Sequence, residues 1–249
     1  MASTNTKDDD LPQLPADTLA ALKEFYGAQT QRQKQFEDLK AQAENDFEGK
    51  QKFSMEAFTE DWNASQFWYD DITATALARQ LLDGATNETR IAVVSAPSVF
   101  IQLKNLLASE EYQFQPQLKL LEYDDRFAVF KEFERYDFQH PVKLSPELKG
   151  TFDCIICDPP FLSDDCQTKA ALTVRWLART WESQGLRLIV CTGERMEALI
   201  NKVYSKAGVQ TTSFEVKHSK GLSNEFRCYA NFECEVWKYA IQSETRLEK

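Results

Sequence analysis

Short apolar runs alternate with stretches of helical periodicity along most of this chain. Residues 90–95 (RIAVVS), 118–122 (LKLLE), 152–157 (FDCIIC) and 186–191 (LRLIVC) are nearly continuous apolar runs of strand length. Between and after them, residues 98–108, 125–133, 166–182 and 194–206 carry helical spacing, with a short strand near 136–138. Two more strands, near 211–217 and 226–237, are separated only by a loop around Gly221, which predicts an antiparallel pair. Strands apolar on both faces, alternating with helices, predict a parallel sheet covered on both sides. Upstream, a helix over 70–82 can be closed by Gly84, and residues 17–47 read as a helix with Asp17 as its N-cap. In that helix Leu19, Leu22, Phe25 and Tyr26 recur at helical spacing, continued by Phe36, Leu39 and Ala43.

Composition narrows the class. At 249 residues the chain can bury a large core, with one main domain as the simplest division. No apolar run approaches the ~20 residues of a membrane span. The N-terminus, MASTNTKDDDLPQLP, is polar and acidic with no apolar signal core, and reads as a flexible tail. The formal charge is −10 and no cluster of Lys or Arg stands out, which argues against a duplex-DNA partner. Five of the six cysteines lie in or beside predicted strands, where cysteine behaves as a small apolar residue. Cys154 and Cys157 have CxxC spacing, yet residues i and i+3 of a strand face opposite ways and cannot clasp one metal. A reduced, intracellular protein without a metal site is expected.

The strand FDCIIC stops at Asp158-Pro159-Pro160-Phe161. Neither proline can donate to a ladder, so the carboxylate, the proline carbonyls and the ring are held at the carboxyl end of a strand. That edge is where open α/β sheets bind ligands. A carboxylate and a carbonyl can each accept one N–H of an amino group, aiming its lone pair, while the ring packs beside it. Asp158, Pro159 and Phe161 are therefore the candidate catalytic residues. The element resembles the Asp-Pro-Pro-aromatic signature of amino-directed methyltransferases that use S-adenosylmethionine, and the order of strands resembles their seven-stranded class I fold. The alternative for the same residues is a strand-ending turn.

On that resemblance the turn after the first strand should approach the cofactor. It reads Ser95-Ala96-Pro97-Ser98, small residues without the usual glycine, with Pro97 suited to a helix start. Glu122, at the end of the second strand, can accept both hydroxyls of a ribose, with Asp124 as the next candidate. Asp137 falls where the fold often places an acceptor for the adenine amino group. Within Ser65-Gln66-Phe67-Trp68-Tyr69 not every side chain can face the core, and Tyr69 is expected on a cofactor wall.

SQFWY, VSAPSVF, LLEYDDRF, CDPPFLS and NEFRCY together resemble the eukaryotic lysine methyltransferases of elongation factor 1-alpha, once classed as N6-adenine DNA methyltransferases. The resemblance runs from about Trp62 to Trp237. It implies a cytoplasmic, S-adenosyl-L-methionine-dependent enzyme acting on a lysine of translation elongation factor 1-alpha, and a monomer is expected. The alternative is N6-adenine methylation of DNA or RNA. Acidic charge and the short span between the first strand and Asp158 disfavour it, because no target-recognition domain fits there. A third reading is a binding module without activity, against which Asp158 and Phe161 stand intact. The expected organisation is an acidic tail over 1–16, a helical extension over 17–60 and a class I methyltransferase domain over 61–249.

Overall fold

In the computed structural model, which describes residues 16–44, 53–58, 60, 66–221 and 225–240, the apolar runs become strands of one sheet. They are β1 (Arg90–Val94), β2 (Gln117–Glu122), β3 (Phe133–Arg135), β4 (Cys154–Cys157), β5 (Arg187–Gly193), β6 (Gln210–Glu215) and β7 (Phe226–Ala230). The helices are α1 (Ala16–Glu44), α2 (Asp71–Leu82), α3 (Pro97–Leu107), α4 (Asp164–Leu177) and α5 (Glu197–Val203). The strand order is β3-β2-β1-β4-β5-β7-β6. The first five strands pair in parallel, and β7 runs antiparallel to both β5 and β6.

Strand alternation divides the core in two. Ile91, Val93, Cys154, Ile156 and Ile189 pack on one face with α2 and α3. Ala92, Val94, Ile155, Cys157, Leu188 and Val190 pack on the other with α4 and α5. Cys154 and Cys157 thus face opposite sides of the sheet, as their spacing requires. Local chemistry sets the helix starts. Asp70 caps α2 by accepting the Thr73 N–H at 2.7 Å, and Ser163 caps α4 through Cys166 at 3.3 Å, with Asp164 and Asp165 in the first turn. Pro97 occupies the first position of α3.

Several boundaries differ from the sequence expectation. The helix expected over 125–133 is a 3₁₀ turn, Asp125–Val129, capped by the Asp124 side chain. The turn buries Phe127 and Phe130, and the chain enters β3 at once, so the short strand lies at 133–135 and not at 136–138. The helix expected over 166–182 starts at Asp164 and ends at Leu177, because Ala178 bridges to Phe152 beside β4. The helix expected over 194–206 is α5 flanked by two 3₁₀ turns. The last strand ends at Ala230, well short of 237. Of the apolar stripe expected on the first helix, Tyr26 is exposed, whereas Phe36 meets Phe58 edge-on at 5.9 Å. Phe58 in turn stacks on the buried Phe127 at 4.1 Å. Residues 1–15 of the expected acidic tail lie outside the described residues.

Ser95 is the one non-glycine residue with positive φ among the described residues, at 54°. Its N–H donates to the Leu121 carbonyl at 2.9 Å, so the chain leaves β1 still bonded to β2 and then turns sharply into α3. This is the place where a glycine was missing from the sequence, and serine adopts the left-handed conformation instead. Ser95→Gly should change folding stability by less than about 1 kcal/mol, because relief of the backbone is offset by a freer unfolded chain. Ser95→Val should cost about 1–3 kcal/mol, since a β-branched side chain resists positive φ. Urea unfolding of the two variants checks this; equal stabilities would show that the turn carries no strain.

Candidate active site

The carboxyl ends of β1, β2 and β4 open on a cavity of about 860 Å³. Strand register places three residues level at this edge. Val94 pairs with both Leu121 and Cys157, so Ser95, Glu122 and Asp158 each come one step later on adjacent strands. All three line the cavity. The order of strands reverses between β1 and β4, and an open α/β sheet forms its binding crevice at such a point.

Glu122 is buried, at 5% exposure. Its Oε1 accepts the N–H groups of Tyr123 at 2.7 Å and Asp124 at 3.1 Å. Oε2 has no hydrogen-bond partner among the described residues. Burial pushes the carboxyl up to about 7, against these backbone bonds. Asp124, the other candidate, does not line the cavity. Burial raises its carboxyl, but the bonds from Arg126 outweigh this and hold it below the usual range. Gln66 Nε2 also donates to it at 3.2 Å. Asp124 is therefore a structural cap, and Glu122 is the strand-end acid that lines the cavity.

Asp158 lies half-buried at the end of β4, its N–H donating to the Val94 carbonyl at 3.0 Å. Its Oδ2 accepts the Tyr69 hydroxyl at 2.5 Å. Burial pushes this carboxyl up to about 8; the Tyr69 bond pulls it down and the nearby Glu122 pushes it further up. Pro159 is buried, and no backbone N–H of the described residues bonds its carbonyl. Phe161 stands 38% exposed at the rim, its ring 5.6 Å from that of Phe138. Two side chains that follow it hold this loop, one from α4 and one from beyond β5. The fully buried Gln167 donates to the Phe161 carbonyl at 3.0 Å and to Thr192 at 2.9 Å, and Arg195 donates to the Leu162 carbonyl at 2.7 Å. Gly193 leaves room for the loop, since a Cβ there would stand 2.7 Å from Leu162.

The opposite wall is made by residues 66–69 paired with 217–219. Asp70 donates to the Lys217 carbonyl at 3.0 Å, Ser219 donates to that of Trp68 at 2.9 Å, and Tyr69 bridges to His218. Glu60 ties the two segments together. Its side chain, 2% exposed, takes the Trp68 N–H at 3.0 Å, the Ser219 hydroxyl at 3.3 Å and the Lys220 ammonium at 2.9 Å. Burial works against this carboxylate, yet these donors keep it below its ordinary range. His218 lines the cavity, and burial pushes its imidazole down to about 4, so it is neutral at pH 7. Leu222, Ser223 and Asn224 of this loop lie outside the described residues.

Three of the expected cofactor residues do not line the cavity. Tyr69 is buried at 4% exposure and does not line the cavity, because its hydroxyl reaches inward to Asp158. Ala96 and Pro97 are buried under the start of α3 and do not line it either; only Ser95 of that turn does. Asp137 lines the cavity as expected, but both its oxygens are engaged, Oδ1 by the Gln139 N–H at 2.9 Å and Oδ2 by the His140 ring at 3.1 Å. Tyr136, Phe138, Arg195 and His218 also line the cavity and were not among the candidates. Of these, only the acidic-aromatic run Tyr136-Asp137-Phe138 carried a local signal.

The family model described as "Probable N6-adenine methyltransferase" matches residues 60–234. Protein-lysine N-methyltransferase EFM5 of Saccharomyces cerevisiae is 44% identical over 238 residues, covering 91% of this chain and 94% of that protein. EEF1A lysine methyltransferase 1 of Gallus gallus is 41% identical, covering 90% and 96%. Protein-lysine N-methyltransferase M142.8 of Caenorhabditis elegans is 39% identical, covering 90% and 96%.

The raised carboxyl of Glu122 gives a testable sign. A carboxyl that titrates at about 7 when folded holds its proton more tightly than in the unfolded chain, so its contribution to stability is full at acid pH and is lost as pH rises toward and past 7. Glu122→Gln should stabilise the ligand-free protein by up to about 3 kcal/mol at pH 8, and by much less at pH 5. Urea unfolding at both values measures it. A gain that does not grow with pH would show that Glu122 folds as an ordinary, solvated acid.

Proposed function

The chain belongs to the family whose model spans residues 60–234, and on that premise we infer that it is an S-adenosylmethionine-dependent protein-lysine N-methyltransferase acting on translation elongation factor 1-alpha. The observation that carries the reading is the pair of carboxylates, buried Glu122 and half-buried Asp158, level at the carboxyl edge of the sheet and lining one cavity at the reversal of strand order. One carboxylate suits a nucleoside and the other an amine. The relatives named as lysine methyltransferases cover nine-tenths of the chain and supply the choice of lysine as target. The wall chemistry agrees, because an acidic, aromatic-lined pocket suits a cationic alkyl chain better than a phosphodiester. Cytoplasmic residence, monomeric action and the absence of a duplex-DNA partner belong to the same proposal.

The residues present fit the cofactor. Glu122 keeps Oε2 for a ribose diol, and the left-handed turn at Ser95 lets the backbone come close to a ligand. When bound, S-adenosylmethionine supplies a methyl group activated on a sulfonium. Asp158 Oδ1 and the Pro159 carbonyl are the acceptors that can hold the two N–H bonds of a lysine amine and aim its lone pair. Phe161 gives the alkyl arm an apolar wall at the mouth. The amine must be uncharged to attack; desolvation at the site favours that form, against the pull of the carboxylates toward the ammonium.

Asp158→Ala should leave S-adenosylmethionine affinity nearly intact and cut turnover by about two orders of magnitude or more, through lost orientation. Phe161→Ala should also slow transfer, whereas Phe161→Tyr, which keeps the ring, should be better tolerated. Labelled methyl transfer to purified elongation factor 1-alpha and to DNA, with calorimetric binding on the same preparations, is the test. Transfer to DNA but not to the factor would replace the lysine reading by the adenine one, and wild-type turnover in Asp158→Ala would reduce the Asp-Pro-Pro-Phe element to a turn.

A further inference from the structure

The Tyr69–Asp158 bond is the shortest link between the two walls of the site and joins residues 89 apart in sequence. Tyr69 is held from three sides. Its backbone bridges to His218, its ring lies 5.2 Å from the His218 ring, and its hydroxyl sits beside the buried Cys191 of β5. With the ring enclosed and the backbone paired, the hydroxyl has one charged acceptor, Asp158 Oδ2. The other oxygen, Oδ1, has no hydrogen-bond partner among the described residues, and Asp158 lines the cavity.

We propose that Tyr69 is a positioning residue for the methyl-transfer reaction: its hydroxyl occupies Oδ2 of Asp158, so that the carboxylate is held in one orientation and presents Oδ1 to the incoming amine. This rests on the lysine methyltransferase reading. Without the bond, the carboxylate is free to turn about its terminal torsion, which is broad and roughly two-fold, and to divide its acceptor capacity between orientations. The bond also favours the charged form, since a donor to a carboxylate stabilises it. That matters because only the ionised group can take two roles at once, accepting from Tyr69 on one oxygen and from the amine on the other. The other titratable groups that act on Asp158 are Glu122, which lines the same cavity, and Cys157, Cys166 and Cys191, the last beside the tyrosine. None of these is a cation, so Tyr69 is the group that counters the burial of this carboxylate.

The proposal separates Tyr69 from residues that merely fill space, because a packing role would not move the titration of Asp158. The test follows the Asp158 carboxyl by carbon NMR in protein carrying labelled aspartate, with Asp158→Asn identifying the signal. In the wild type the midpoint should lie near 8. Tyr69→Phe, which keeps the ring, should move it upward by about 1–2 pH units, as expected for losing a bond to a charged group. Fluorotyrosine at the same position, a stronger donor, should move it downward. In the assay Tyr69→Phe should lower kcat at least about tenfold, shift the acid limb of the rate profile to higher pH and leave S-adenosylhomocysteine affinity within about twofold. The same change in an Asp158→Asn background should have little further effect on rate. An unmoved Asp158 midpoint in both tyrosine variants, or equal losses of rate with and without Asp158, would overturn the positioning role. If the midpoint moves as expected but the wild type methylates no lysine of elongation factor 1-alpha, the substrate reading fails and the coupling of the two side chains stands.

Discussion

The parallel pairing of β1 with β4 is the constraint on which the rest of the molecule depends. It brings Val94 level with Cys157 and lets the Asp158 N–H reach the Val94 carbonyl at 3.0 Å. Strand order reverses there, so the helices that follow the two strands depart to opposite faces: α3 packs with one core cluster and α4 with the other. A crevice is left between them at the carboxyl edge. The turn at Ser95, the acid at Glu122 and the element at Asp158 share one rim because the register of three adjacent strands makes them level.

A rim built this way concentrates like charges. Burial raises the carboxyls of both Glu122 and Asp158, and Glu122 pushes Asp158 further up. Such a pair is costly to bury, and a ligand that carries positive charge and donors would relieve it. The protein therefore spends stability where it binds, which fits a carboxylate kept for a ribose and another for an amine. The sheet edge alone could not hold them. Gln167, Arg195 and Gly193, all from elements after the Asp-Pro-Pro-Phe loop, fix its course, so the ring of Phe161 is presented by side chains outside the loop itself.

The second wall has a different origin. Residues 66–70 precede the first strand, yet they pair with residues 217–219 near the end of the chain. A single buried carboxylate, Glu60, binds both segments and is itself neutralised by Lys220. Removing any one donor would leave that charge under-satisfied, so the wall forms as a unit. Through Tyr69 this unit also reaches Asp158, linking the wall to the carboxylate at the end of β4.

What could be read without coordinates was what depends on neighbours in sequence. Apolar runs located β1, β2, β4 and β5 of the five parallel strands, because strands in the middle of such a sheet are largely apolar, whereas the short edge strand β3 was placed three residues too late. Two successive prolines marked where the central strand had to end, and the charge and motif pattern pointed to an amine in place of phosphate. The short helical segment at 125–133 was misread because its apolar spacing suits either a helix or a turn, and only the need to bury Phe127 and re-enter the sheet at Phe133 decides. The left-handed turn at Ser95 was invisible because serine does not announce positive φ as glycine does. The choice of Glu122 over Asp124 depended on where Arg126 folds back, and the inward course of Tyr69 on a bond spanning 89 residues. Such pairings are set by packing between distant elements, so tertiary structure alone could decide which carboxylate lines the cavity free of Arg126 and which tyrosine bonds Asp158.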